Sequence, residues 1–279
     1  MSIKLDKLKL IPAYQAVSGE LERLITSGVL RPGDPMPSEF ELAGNFGVNR
    51  STVREGIRQL ETEGLVRREG RKRLVVARPF NADLTPRTTR ALIMHEVTFR
   101  ELWTVAHVLE PLAAALAAQQ ASEPEIAALR ANLRDTEAAV ACGESPAELD
   151  TAFHAMIAAA ARNRALLLSR EPTGVLLYPA FEAILPHLPQ APARLLEAHQ
   201  RQVDAIAACD SGQAELWARK HILDFRRGWE LVGIDLDMPV SAHASAAAAI
   251  KRRPPAVASL SEALHRQAGM EAGDGRVRG

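Results

Sequence analysis

The segment PMPSEFELAGNFGVNRSTVREGIRQLETEGLVRREGRKRLVVA, from Pro35 to Ala77, leaves its backbone few paths. Ser38 followed by Glu41 forms a capping box: the Ser38 hydroxyl accepts from the third amide of a new helix while the Glu41 carboxylate reaches back to the cap. The helix starting there carries Phe40, Leu42 and Ala43, runs out at Asn45 and meets Gly47, whose permissive backbone suits a sharp turn. A second helix follows, capped by Asn49 or Ser51. In it Val53, Ile57 and Leu60 recur at helical spacing and face inward, leaving Arg50, Ser51, Thr52, Arg54 and Arg58 toward solvent near its start. After Gly64, Leu65-Val66 and Leu74-Val75-Val76 read as two short strands joined by the basic run RREGRKR, which turns at Gly70. Helix, turn, helix and basic hairpin, in that order, predict a winged helix-turn-helix.

Such an arrangement fits duplex DNA, whose major groove admits one α-helix read from its N-terminal residues. From Asn49 to Arg73 eight Arg or Lys stand against four Glu, a local charge of +4. That excess favours phosphate contacts through counterion release. The plain alternative, a charged and solvated helical hairpin, explains neither the capping box nor the basic turn. Candidate DNA contacts are Arg50, Ser51, Thr52, Arg54, Gly70 and Arg71.

The whole chain of 279 residues is formally neutral, with 34 basic and 34 acidic residues, yet its charge is unevenly spread. Residues 1–80 carry +4, residues 81–240 carry −7 and residues 241–279 carry +3. Phosphate repels an acidic middle region, so that region should sit off the duplex and serve another purpose. No N-terminal segment reads as a signal peptide and no run reaches the roughly 20 apolar residues of a membrane span. We therefore expect a cytoplasmic protein without membrane contact. Cys142 and Cys209 are expected to be small buried hydrophobes rather than a disulfide.

From Leu84 onward Ala-, Leu- and Glu-rich helical periodicity replaces strand signals. Breaks near Thr98, Ser122 to Pro124, Gly143 to Pro146, Arg162-Asn163, Pro189 to Pro192 and Asp210 to Gly212 imply about seven helices with short connections, hence an antiparallel bundle. Pro111 and Pro179 read either as kinks or as helix ends. The predicted class is mainly α: a winged helix-turn-helix over 1–80, an all-α effector, metal-binding and dimerisation bundle over 81–238, and an Ala-, Ser-, Gly- and Arg-rich disordered tail over 239–279.

Asp150 and His154 lie at i and i+4 and share one helix face. If a hairpin turns at Asp210 to Gly212, His199 and His221 stand level on its two arms, each roughly 16 Å from the turn at 1.5 Å per residue. Three imidazoles and a carboxylate converging in a bundle would suit Zn, Ni, Mn or Fe. A metal would also offset the cost of burying Asp150. Spacing alone leaves ordinary core histidines as the alternative. His95-Glu96 opens like a zinc-protease signature, but residue 99 is Phe, so that reading fails.

On these motifs the chain resembles the GntR superfamily of bacterial regulators, in its FadR-like branch with a C-terminal FCD domain. The likeness extends from Ala13 to about Gly233 through ELWTVAHVLEPLAAALAA, DTAFHAMIAAAARN and EAHQRQVDAIAACDSGQAELWARKHI. It implies an all-helical ligand-binding bundle and a divalent transition metal on Asp150, His154, His199 and His221. It further implies a carboxylic-acid effector, a homodimer, and an inverted-repeat operator in double-stranded DNA. Two positions depart from the family pattern: Phe40 replaces a DNA-contacting Arg, and Ala106 replaces an Arg that clamps a carboxylate. Arg100, His107 and Asn163 are the remaining candidate effector contacts. The expected function is a ligand-responsive repressor and not an enzyme, since no carboxylate base is evident beside the ligands. A metal-free sensor of acyl-CoA from the same branch is the alternative, with a metal-dependent enzyme fused to a DNA-binding module behind it.

Overall fold

The computed structural model describes residues 11–70, 73–79 and 81–242. The chain divides into two compact units after Leu84. The first unit contains α1 (Ala13–Thr26), α2 (Glu39–Phe46), α3 (Arg50–Glu63), β1 (Val66–Glu69) and β2 (Arg73–Val76). Ser38 caps α2 with both halves of the capping box formed, its amide donating to Glu41 Oε2 at 2.8 Å. Gly47 ends α2 at φ 64°, a left-handed value open to glycine, and the chain turns there into α3. Asn49 sits at the α3 cap without a side-chain hydrogen bond.

Sequence reading did not place α1, whose Val17, Leu21 and Ile25 close the core against Val53, Ile57 and Leu60. Gly56 makes that contact possible: a Cβ there would stand 3.0 Å from the Tyr14 carbonyl oxygen and 3.0 Å from Val17 Cγ1. The hairpin pairs antiparallel, Val66 with Val76 through Glu69 with Arg73, and Pro35 bridges Val75 on the free edge. Gly70 turns it at φ +65°. Arg71, an expected DNA contact, lies outside the described residues.

After α4 (Asn81–Met94) come α5 (Phe99–Gln120), α6 (Glu123–Ala141), α7 (Ala147–Ala160), α8 (Arg164–Ile184), α9 (Ala191–Ala207) and α10 (Ser211–Val232). The six helices α5 to α10 begin where the sequence breaks put them, with Thr98, Asn163 and Asp210 accepting cap hydrogen bonds at three of the starts. Prolines do not divide them: α5 runs on through Pro111 and α8 through Pro179. α10 packs along α5 and α9, while α7 packs against α5, α6 and α8.

Two apolar cores share this bundle. One gathers Ala113, Ala117, Phe153, Ile157, Val203 and Ala218; the other gathers Phe99, Leu102, Leu176, Ile184, Trp229 and Val240. Between them four helices contribute polar side chains: Glu110 on α5, His154 on α7, Arg170 on α8 and His199 on α9, all buried. Buried polar groups that far from water must satisfy one another or a bound partner.

Two expectations need correction. Cys142 and Cys209 are exposed, because they fall at helix ends and not on core faces: Cys142 caps α6, and Cys209 takes φ 55° in the α9–α10 turn. The tail does not begin at 239, since Pro239 bridges Thr98, the Val240 amide donates to Val97, and Val240 is buried in the second core. Its apolar side chain outweighs the polar composition around it. Residues 243–279 of the expected tail lie outside the described residues. Among the described residues no helix is long and apolar enough to cross a membrane.

Candidate metal centre and DNA-facing helix

The α7 register places Asp150 and His154 one turn apart, and the α9–α10 hairpin brings His199 and His221 level with them. One donor atom from each of the four lies within 4.8 Å of all the others. Asp150 Oδ1 stands 3.2 Å from His199 Nε2, 3.3 Å from His221 Nε2 and 3.7 Å from His154 Nε2. Donors held 2.0–2.2 Å from one ion stand about 3–4 Å apart, so the set fits a first-row divalent metal. Asp150 Oδ1 and His199 Nε2 are buried without a hydrogen-bond partner despite their proximity. A cation lying between them, with His221 and His154 completing its shell, would satisfy both atoms.

Electrostatics agrees with that reading. Burial opposes ionisation of Asp150, but the neighbouring His154 charge and the His199 and His221 rings outweigh it and hold the carboxyl well below the usual carboxylate range. Desolvation lowers His199 to about 3, so its ring is neutral and free to ligate. His154 differs. Its burial penalty is exceeded by the Glu110 and Asp150 carboxylates, which raise it above 6.5, so metal capture must displace a proton from His154.

Sequence reasoning missed the groups behind this cluster. Glu110 Oε2 lies 3.0 Å from His154 Nδ1, and its other oxygen accepts from Arg170 Nε at 2.6 Å. Desolvation resists this carboxylate, yet Arg170 and His154 draw it down to about 2. Glu110 therefore holds the His154 ring with Nε2 toward Asp150, a carboxylate–histidine arrangement that fixes tautomer and raises ligand basicity. The signal was a lone acid inside the apolar run VLEPLAAALAA, and the Arg170-Glu171 pair inside LLLSREPTGVLL. A Glu110→Gln variant should weaken zinc affinity about 10- to 100-fold, measured by chelator competition. Unchanged affinity would leave Glu110 a purely structural partner of Arg170.

Asp150, His154 and His221 face a cavity that opens to solvent and is lined further by α8, α9 and α10. Ala106 is on its wall; Arg100, His107 and Asn163 are not. Each of those three is engaged elsewhere. Arg100 pairs with Asp237 at 2.6 Å, His107 stacks on Trp103 at 4.8 Å, and Asn163 Oδ1 accepts from the Leu166 amide at 3.1 Å to cap α8.

In the first unit Arg50, Ser51 and Arg54 are exposed along the start of α3, with Thr52 half-buried beside them. Arg54 donates to Glu39 Oε2 at 2.8 Å, and Arg50 Nη2 lies 3.9 Å from the same oxygen. One carboxylate thus holds both guanidinium groups on one edge. Phe40, beside Glu39, is 74% exposed.

Residues 13–76 match the family profile described as "Bacterial regulatory proteins, gntR family", and residues 101–224 match the FCD domain. The chain is 31% identical over 212 residues to the HTH-type transcriptional regulator LutR of Bacillus subtilis, covering 71% of this chain and 93% of that one. It is 28% identical over 222 residues to the Glc operon transcriptional activator of Escherichia coli, covering 76% and 86% respectively. Among solved structures it resembles a GntR protein of Streptococcus agalactiae, with a TM-score of 0.54 at 25% identity over 77% of this chain and 99% of that one.

Proposed function

The chain belongs to the GntR family of transcriptional regulators and carries an FCD effector domain, and from that premise we propose a homodimeric repressor governed by an organic acid at a metal centre. The effector half of this reading rests on one observation: three imidazoles and a carboxylate meet at the inner end of a cavity that opens to solvent. Asp150, His154, His199 and His221 would hold Zn, Ni, Mn or Fe, and the ion would supply a Lewis-acidic seat for a carboxylate. That donor set weighs against the metal-free acyl-CoA alternative, which has no use for four converging ligands.

The DNA half rests on α3, whose Arg50, Ser51, Thr52 and Arg54 would enter the major groove while the wing that turns at Gly70 would follow the backbone, with Arg71 as the expected contact there. A single α3 reads only half a site. A two-fold dimer therefore requires an inverted repeat, and a dimer seated on such a repeat within a promoter would exclude polymerase. An effector alters DNA affinity only as far as it binds the two states unequally. The resemblance to regulators supports sensing over catalysis.

Selection of bound duplexes from a random library by the zinc-loaded full chain tests this reading. We expect enrichment of an inverted repeat with half-sites spaced by about 10 base pairs or a multiple. Enrichment of a lone half-site, or none at all, would overturn the dimeric operator.

A further inference from the structure

The shape and chemistry of the cavity specify more than a metal-bound acid. Its lining follows three helices away from the donor cluster. On α8 the lining residues Arg170, Gly174, Leu177, Phe181 and Ile184 form one stripe; on α10 His221, Phe225, Gly228 and Leu231 form another; on α9 Leu195 and Ala191 recede from His199. From His221 to Leu231 the trough runs roughly 15 Å along α10 at 1.5 Å per residue.

Polar groups gather at the donor cluster, and a second set, Gln190, Arg194, Asp224 and Arg227, flanks one side of the trough. At the inner end Arg170 is already committed, 2.6 Å from Glu110 and 3.6 Å from Glu171, and Thr151 donates to the Ala147 carbonyl. One turn along α10 from His221, Asp224 pairs with Arg194, and Gln190 and Arg227 are exposed. The rest of the wall is alkyl and aromatic: Leu177, Phe181, Ile184, Leu188, Leu195 and Phe225. A hydrophilic acid of two or three carbons would use the inner end and leave this length of apolar surface unfilled. Ligand sites of a few hundred cubic ångströms gain most of their affinity from such walls and their specificity from the few polar groups.

We propose that the effector is an amphiphilic monocarboxylate, its head on the Asp150–His154–His199–His221 centre and an unbranched apolar tail lying along the trough between α8 and α10. This rests on the metal-centre reading given above and adds the tail. At Gly228 α10 packs directly on the opposite wall, for a Cβ there would stand 2.9 Å from Leu188 Cδ1 and 3.5 Å from Ile184 Cδ1, both of them wall residues. A larger side chain at 228 must displace those walls and narrow the trough.

The test is calorimetric titration of acetate, butanoate, hexanoate and octanoate into the full chain, zinc-loaded and zinc-stripped. In the loaded protein each added methylene should tighten binding about fourfold while it remains within the trough, placing octanoate about a hundredfold or more ahead of acetate, one molecule per chain. Affinity that is flat with chain length, or greatest for acetate, overturns the tail assignment and leaves the metal centre standing. Octanoate binding equally to the stripped protein overturns the metal-bound head and leaves the trough. A Gly228→Val variant should lose about tenfold in octanoate affinity and little in acetate affinity; where its melting curve shows a folding defect, the wild-type series decides alone.

Discussion

A chain carrying both His199→Ala and His221→Ala is expected to purify without metal, while the wild-type protein holds about one ion per chain by elemental analysis. Two of four donors vanish, and His199 is the one most deeply enclosed, 0% exposed and stacked on Phe153 at 3.7 Å. What remains, Asp150 and His154 on one turn of α7, is a pair too small to hold the ion against water. The loss should also appear as stability. At a free zinc concentration about 100-fold above its dissociation constant the ion contributes about 2.7 kcal/mol, which lowers the melting temperature by roughly 5–10 °C when it is removed. Chelator should reproduce that drop in the wild type and do nothing to the variant.

The pH dependence has a definite sign. Glu110 and Asp150 raise His154 above 6.5, and only its neutral ring ligates, so the zinc-dependent part of the stability is present at high pH and fades as pH falls through that raised value. Full zinc content in the double variant would remove both histidines from the centre.

How much of this was legible in the sequence follows from how far each contact reaches. Ser38 and Glu41 are three residues apart, so the capping box was visible as a string. Asp150 and His154 were legible for the same local reason, and His199 with His221 because a hairpin makes two helix positions level by counting alone. Glu110 was not legible, because its partner Arg170 lies 60 residues away and only the bundle says which helix faces face each other. The pairing of Arg100 was hidden similarly: its partner Asp237 lies 137 residues on. Cys142 and Cys209 illustrate a different limit. Composition suggested burial, but their positions at a cap and a turn put them in solvent.

Arg54→Ala should weaken binding to the selected operator by about 1–3 kcal/mol, roughly 5- to 150-fold, and lower the salt slope by about 1 if the guanidinium neutralises one phosphate. Arg50→Ala should do the same to a smaller degree, and the difference lies in Glu39. Its carboxylate is drawn below the usual range chiefly by hydrogen bonding to Arg54, with the charges of Arg54 and Arg50 adding to it. An exposed pair of this kind contributes little to folding. On DNA it would matter more, since removing Arg54 takes away a cation and leaves Glu39, with only the more distant Arg50 beside it, as an anion that would repel phosphate. Glu39→Gln in the Arg54→Ala background separates the two effects: it should recover part of the missing affinity by removing the repulsion, whereas in the wild type the same change should alter affinity little. Fluorescence anisotropy on operator and scrambled duplexes at matched salt reads all of these proteins. If Arg54→Ala binds the operator like the wild type, the start of α3 does not face the groove, and the wing would have to carry recognition instead.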